Sequence, residues 1–294
     1  MPVPLAYLAV VLIWSTTPLG IVWSSSSVSP TLAVLLRMLI ALVLGAIIIL
    51  LTKINLPWHR QARKLYYSSS IGIVGGMLLS YLAARYISSG MMSLMFGLTP
   101  IFSGLLAQKF LAEPKFSGIK KLALALCFVG LAIVCSDHIK LHQDSWIGLL
   151  LILTAVMFFS LSAVMVKSIS LTIHPMATTV GALSVSTPIF LLAWWLFDGQ
   201  LNVEHWQVKS IWAIIYLGIF GSLIGFLAYF HILQKLAAST VALITLLTPV
   251  LAMTLGAWLN NETITLKLII GASCIMTGLA IYQFGDKWLK SNSV

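Results

Sequence analysis

The stretch LTPIFSGLLAQKFLAE, residues 98–113, returns as LTPVLAMTLGAWLNNE at residues 247–262, so that Leu98-Thr99-Pro100 answers to Leu247-Thr248-Pro249. Twelve residues separate Pro100 from Glu113, and twelve separate Pro249 from Glu262. The correspondence extends outward. Gly72-Ile73-Val74-Gly75 matches Gly218-Ile219-Phe220-Gly221, and Gly130-Leu131 matches Gly278-Leu279 with one residue of slippage. Trp14-Ser15 followed by Pro30 matches Phe159-Ser160 followed by Pro175 at the same spacing. A helix needs about 20 apolar residues to cross a bilayer. Ten segments meet this: 4–23, 30–52, 65–87, 89–111, 118–136, 146–167, 175–197, 210–235, 237–259 and 265–284. Each copy thus holds five spans, residues 4–136 and 146–284. Five is odd, so the second copy runs through the membrane upside down. Two near-equivalent inverted halves can exchange conformations around a central site, a recurring transporter plan. The fold class is an all-α polytopic membrane protein: ten transmembrane helices as two inverted five-helix repeats.

Composition agrees. The 294 residues are 60% hydrophobic and 8% charged, against roughly 25% charged in soluble proteins. So few charges cannot cover a water-facing surface, and lipid must cover most of it. The net charge of +10 does not indicate nucleic acid, because the basic residues sit in short breaks between apolar runs. With a cytoplasmic N-terminus, twelve basic residues fall inside (Lys53, Arg60, Arg63, Lys64, Lys109, Lys115, Lys120, Lys121, Lys167, Lys235, Lys287, Lys290) and three outside (Lys140, Lys209, Lys267). This is the positive-inside bias, and it expects both termini in the cytoplasm. The first apolar run, up to Trp23, has the length of a retained span rather than of a signal peptide. Cys127, Cys135 and Cys274 all lie in apolar runs; the first two are eight residues apart on one helix, too far for a disulfide.

These residues resemble the EamA-type branch of the drug/metabolite transporter superfamily. Ile13-Trp14-Ser15-Thr16-Thr17-Pro18 through Arg37-Met38-Leu39-Ile40-Ala41 is similar to that family's opening two helices. Ser88 to Glu113 is similar to its fourth helix, a pattern that Ala237 to Glu262 repeats. The resemblance implies a ten-helix basket in a bacterial inner membrane, with a cavity lined mainly by helices 1, 3, 4, 6, 8 and 9. It also implies cargo drawn from amino acids, nucleosides, sugars or quaternary amines. Arg37 departs from the internal symmetry, because Ala182 stands at the matching place.

Candidate cargo contacts are Trp14, Ser15, Arg37, Tyr81, Thr99, Phe159, Tyr229 and Thr248, with Pro100 and Pro249 as hinges. Arg37 lies seven residues past Pro30, about 10 Å into its span, where an arginine is costly and by default functional. Its alternative is to snorkel outward or bind loose carbonyls. Each proline removes a mid-helix hydrogen bond and frees a carbonyl. Trp14, Tyr81, Phe159 and Tyr229 are deep enough to stack on an organic cargo, while Trp58, Trp146, Trp206 and Trp288 sit at membrane edges. Arg85 reads as an interface residue at the outer end of span three. The glycine pairs 72/76 and 221/225 have small-xxx-small packing spacing. All seven acidic residues, Glu113, Asp137, Asp144, Asp198, Glu204, Glu262 and Asp286, fall at span ends or in loops. No proton-carrying carboxylate is expected at mid-depth; Glu113 and Glu262 are expected to cap the helices that follow.

The expected function is transport of a small organic metabolite by alternating access, as an exporter, facilitator or exchanger. The partners expected are that substrate and the bilayer, with a homo-oligomer compatible but not required. No metal, cofactor or catalysis is expected. His138 and His142 are four apart, but in a polar loop, and His59, His174, His205 and His231 are scattered. Ser15 and Ser160 lack a nearby base. A non-transporting scaffold or sensor is the alternative, and an intramembrane enzyme the more remote one.

Overall fold

The computed structural model describes residues 2–141, 144–171, 173–236 and 243–291, with side chains left out at 137–141, 230, 233–234, 243 and 287–291. The readings placed on His142 and on the Ala237 end of the second copy lie outside the described residues, and those on Asp137, His138, Lys140, Lys287, Trp288 and Lys290 fall where only the backbone is described. The helices are α1 (Val3–Ser24), α2 (Pro30–Thr52), α3 (Arg60–Ala83), α4 (Ser89–Phe110), α5 (Gly118–Leu141), α6 (Ser145–Lys167), α7 (Pro175–Phe197), α8 (Val208–Tyr229, continuing to Lys235), α9 (Leu243–Asn260) and α10 (Leu266–Ser291). Among the described residues nine are long and apolar enough to cross a membrane, and α9 is a shorter apolar tenth. The protein is an all-helical bundle of two inverted five-helix repeats.

Local chemistry sets the helix starts. Prolines stand in the first turns of α1, α2 and α7, where their missing N–H has no intrahelical partner to lose. Side chains cap others: Ser88 Oγ accepts from Met91 N at 3.3 Å and Thr265 Oγ1 from Leu268 N at 3.1 Å. Helix α3 starts at Arg60, before the apolar run at 65, because its basic first turn can extend beyond the hydrocarbon.

Two irregularities recur at matching places in the repeats. Within α3, Gly72–Gly76 forms a π-turn, and within α8 Leu217–Ile224 does the same. These are the segments that the glycine motif pairs in the sequence. Helices α4 and α9 also end alike. Ala112 and Asn261 adopt left-handed φ of 52° and 51°. Glu113 N then donates to Ala107 O at 3.4 Å and Glu262 N to Gly256 O at 3.2 Å, each bond reaching back six residues across the left-handed one, one further than in a Schellman turn. The repeated glutamate is thus the residue just past a helix C-terminus.

Packing follows small residues. An added Cβ on Gly130 would lie 2.6 Å from the Gly271 carbonyl oxygen, and one on Gly278 2.8 Å from that of Ala123, so α5 and α10 meet backbone to backbone. Gly72 faces Ser162 and Gly76 the Phe159 ring, both on α6; Gly225 faces Ile13 and Trp14 on α1. All three cysteines are free.

Candidate functional site

Helix α4 is discontinuous where the sequence places its proline. The regular helix stops at Phe96, Gly97 and Leu98 form a turn, and a second segment starts at Thr99. Pro100 has no N–H for the Phe96 carbonyl, and Thr99 Oγ1 donates to that carbonyl at 2.7 Å instead. The carbonyl expected to be free for cargo is therefore covered by the neighbouring hydroxyl. Other carbonyls are engaged from across the bundle: Ser160 Oγ donates to Thr99 O at 3.2 Å, and the Tyr282 hydroxyl to Pro100 O at 3.4 Å. Pro249 lies inside a continuous α9, and its Cγ packs against Gly97 in the α4 break. The two prolines are matched in sequence and different in effect.

Around this break the structure gathers part of the candidate set. Phe159 packs on Gly76 of the α3 π-turn and meets Phe96 edge-on at 5.8 Å between ring centroids. Thr99 and Ser160 join them through the bond above. Trp14 and Tyr229 form a second aromatic pair, 4.9 Å apart, between α1 and α8. Ser15 turns to its own helix, donating to Val11 O at 2.6 Å. Tyr81 is fully buried in the main core, and its hydroxyl has no partner among the described residues. Thr248 is buried in α9.

Arg37 is 0% exposed. Its Nε donates to Ser222 Oγ at 2.7 Å, and Nη2 lies 3.0 Å from where a Cβ on Gly221 would stand. Both residues belong to the α8 π-turn. Nη1 and Nη2 are buried without an acceptor among the described residues, so the side chain neither snorkels to the interface nor binds loose carbonyls. Sequence reasoning found Arg37 because a charge in a span is conspicuous. It missed Ser222, since a serine in a transmembrane helix is cheap when it bonds its own backbone.

The carboxylates are placed differently from expectation. Glu262 caps α4 rather than the following α10: Oε1 accepts from Ser89 N at 3.0 Å and Oε2 from Gly90 N at 3.1 Å. Asn260 Nδ2 donates to Glu262 Oε1 at 3.1 Å, and Trp23 Nε1 to Asn260 Oδ1 at 2.8 Å, which ties the ends of α1, α9 and α4 together. Glu113 does not cap α5; it pairs with Lys167 at the end of α6, 2.6 Å away. The left-handed turns at Ala112 and Asn261 explain both corrections, because they swing the glutamates toward helices from the other repeat. At the same end as Glu262, a shallow depression of about 180 Å³ is lined by Ser27, Ser29, Asp198, Asn202 and Trp206 among others. None of the candidate cargo contacts lines it.

Ten helices in inverted repeats, irregular at matched places and with a charge buried between α2 and α8, define a polytopic transporter. The EamA-like transporter family model matches residues 1–136 and again 146–283, and the chain belongs to that family. It is 26% identical to an uncharacterized transporter of Archaeoglobus fulgidus over 91% of this chain and 94% of that one. It is 24% identical to the uncharacterized transporter YoaV of Bacillus subtilis, over 96% and 97%. A probable amino-acid metabolite efflux pump of Escherichia coli is 28% identical over 60% of this chain and 61% of its own length. A solved crystal structure with 20% identity covers 95% of the chain, and 96% of its own, at TM-score 0.66, sharing the fold. The chain is a multi-pass membrane protein and a membrane transporter.

Proposed function

We propose that this protein moves a small organic metabolite of the amino-acid class across a bacterial inner membrane by alternating access, with both termini cytoplasmic. The observation that carries the reading is the pair of π-turns at equivalent positions of α3 and α8. Such turns mark functional sites more often than chance. Here each presents small residues to a helix of the opposite repeat, Gly72 and Gly76 to α6 and Gly218 and Gly221 to α2. Because Arg37 and Tyr81 are fully buried, cargo reaches that depth only when one half rocks against the other. The name of the Escherichia coli relative points to amino-acid-like cargo and to export. Glu113 and Glu262 are engaged at helix ends, which favours downhill flux or exchange over proton coupling through a carboxylate.

The test is counterflow. Proteoliposomes preloaded with a bacterial metabolite extract and diluted into isotopically labelled extract should take up a saturable subset of label, faster than protein-free vesicles. Uptake no faster than in protein-free vesicles would favour a scaffold or sensor.

A further inference from the structure

We infer that Arg37, Ser222 and Gly221 form a carboxylate-binding site at the α8 π-turn, so that the cargo carries a single carboxylate; this rests on the transport reading above. A guanidinium has five N–H donors in a planar fork. Ser222 occupies the Nε edge, with its own hydroxyl directed at Met38 Sδ at 4.0 Å. The opposite edge, Nη1 with Nη2, is left with its donors unused. Two parallel donors at that edge match the two oxygens of a carboxylate. Gly221 makes room for the fork itself, since a Cβ there would stand 3.0 Å from Nη2 and push the guanidinium aside.

A buried arginine lacking a counter-charge is strongly destabilising, and structural needs alone do not account for it. In the other repeat, Ala182 stands for Arg37 and Gly76 for Ser222, so the matching helix contact is built there without the pair. They are present together or missing together. Charge also limits the ligand. Every other lysine and arginine lies at a span end or in a loop, so the site supplies one positive charge at this depth. A carboxylate is neutralised by it, whereas a phosphate monoester, with a charge of about −1.5 to −2 at pH 7, would stay under-compensated. The ammonium of an amino acid is left to other groups, which makes the site a reader of the acid end of the cargo.

The experiment compares two labelled pools by counterflow in proteoliposomes: L-amino acids with small organic acids, and carboxyl-free solutes comprising amino-acid carboxamides, amines, nucleosides, sugars and phosphate esters. Wild type should exchange the acids and prefer each amino acid to its carboxamide by at least tenfold. Arg37→Lys, which keeps charge but loses the fork, should weaken acid affinity at least tenfold, and Arg37→Gln should bring the acid-to-carboxamide ratio near one. Gly221→Ala should raise the half-saturating acid concentration with the charge still present, which covers the case in which an Arg37 variant fails to fold. A purely structural arginine would change melting temperature and yield without moving that ratio. Preferred exchange of the carboxyl-free pool, or an unchanged ratio in Arg37→Gln and Gly221→Ala, overturns the carboxylate site and leaves a transporter. Exchange of neither pool overturns both readings.

Discussion

Ala112 and Asn261 hold the same left-handed conformation at equivalent places, but only asparagine is suited to it. An alanine there carries a steric cost of roughly 1–2 kcal/mol, from its Cβ against the following carbonyl oxygen. Ala112→Gly should therefore stabilise the protein by roughly 0.5–1 kcal/mol despite the greater freedom of the unfolded glycine. A higher melting temperature checks this, and a fall would mean that the turn is not strained. Thr99 presents the reverse case, because its hydroxyl covers the carbonyl that Pro100 leaves without a partner. Thr99→Val keeps the shape and removes that donor, at a cost of roughly 1–3 kcal/mol. Thr99→Ser should restore most of the loss, and equal melting temperatures for valine and threonine would show that another donor reaches Phe96. Arg37 was legible in the sequence for the reason it is expensive: a full charge far from the span ends. Ser222 was not legible as its partner, nor Thr99 as the donor to the carbonyl that Pro100 frees, because a serine or threonine in an apolar span has the same local signature whether it bonds its own helix, as Ser15 does, or a residue of another.

The helices themselves could be read because the bilayer fixes their length and every backbone group must be paired inside the segment. What escaped reading is where they depart from regularity. A π-turn changes hydrogen-bond register without changing polarity, and the glycines of 72–76 and 218–221 read equally well as packing residues. They are both: Gly76 seats Phe159 and Gly221 clears Arg37 within those turns. The paired prolines show the opposite limit, since equal sequence context gave a broken α4 and an unbroken α9. The contacts that sustain the break, from Ser160 and Tyr282, come from the other repeat. If the break is the hinge, Pro100→Ala should close it by returning an N–H to the Phe96 carbonyl. The expected result is unchanged or raised thermal stability with counterflow slowed several-fold, because a straight helix favours one state of the alternation. Pro249→Ala should slow flux less, its helix being continuous already. Equal slowing by both variants, or none, would separate the break from turnover.

At the scale of the whole molecule, the charge asymmetry and the missing mid-span acids make separate demands. The loop with Arg60, Arg63 and Lys64 is expected in the cytoplasm, and that with Asp198 and Glu204 outside. Gln61 and Asn202 are both exposed, so cysteine at 202 should react with an impermeant maleimide on intact cells, while cysteine at 61 should react only after lysis. The opposite pattern would invert the molecule without altering its fold. Coupling to protons is the sharper question. A proton-driven carrier needs a group that titrates within the membrane and is exposed to each side in turn. All seven carboxylates lie at span ends or in loops, and at least three of them are already committed: Glu262 to the α4 amides, Glu113 to Lys167, and Asp286 to Ser117 and Lys120. Protonating Glu262 would weaken the tie between α9 and α4 rather than deliver a proton to cargo at mid-depth. His231, partly buried in α8 with Nε2 unpartnered among the described residues, is the remaining titratable side chain suited to a relay. Under an imposed inward proton gradient, the steady-state ratio of cargo across a proteoliposome should stay near unity. Replacing His231 by glutamine should leave that ratio where it was. Concentrative uptake that collapses with a protonophore would sink the uncoupled reading, and its loss in His231→Gln would name the carrier of the proton.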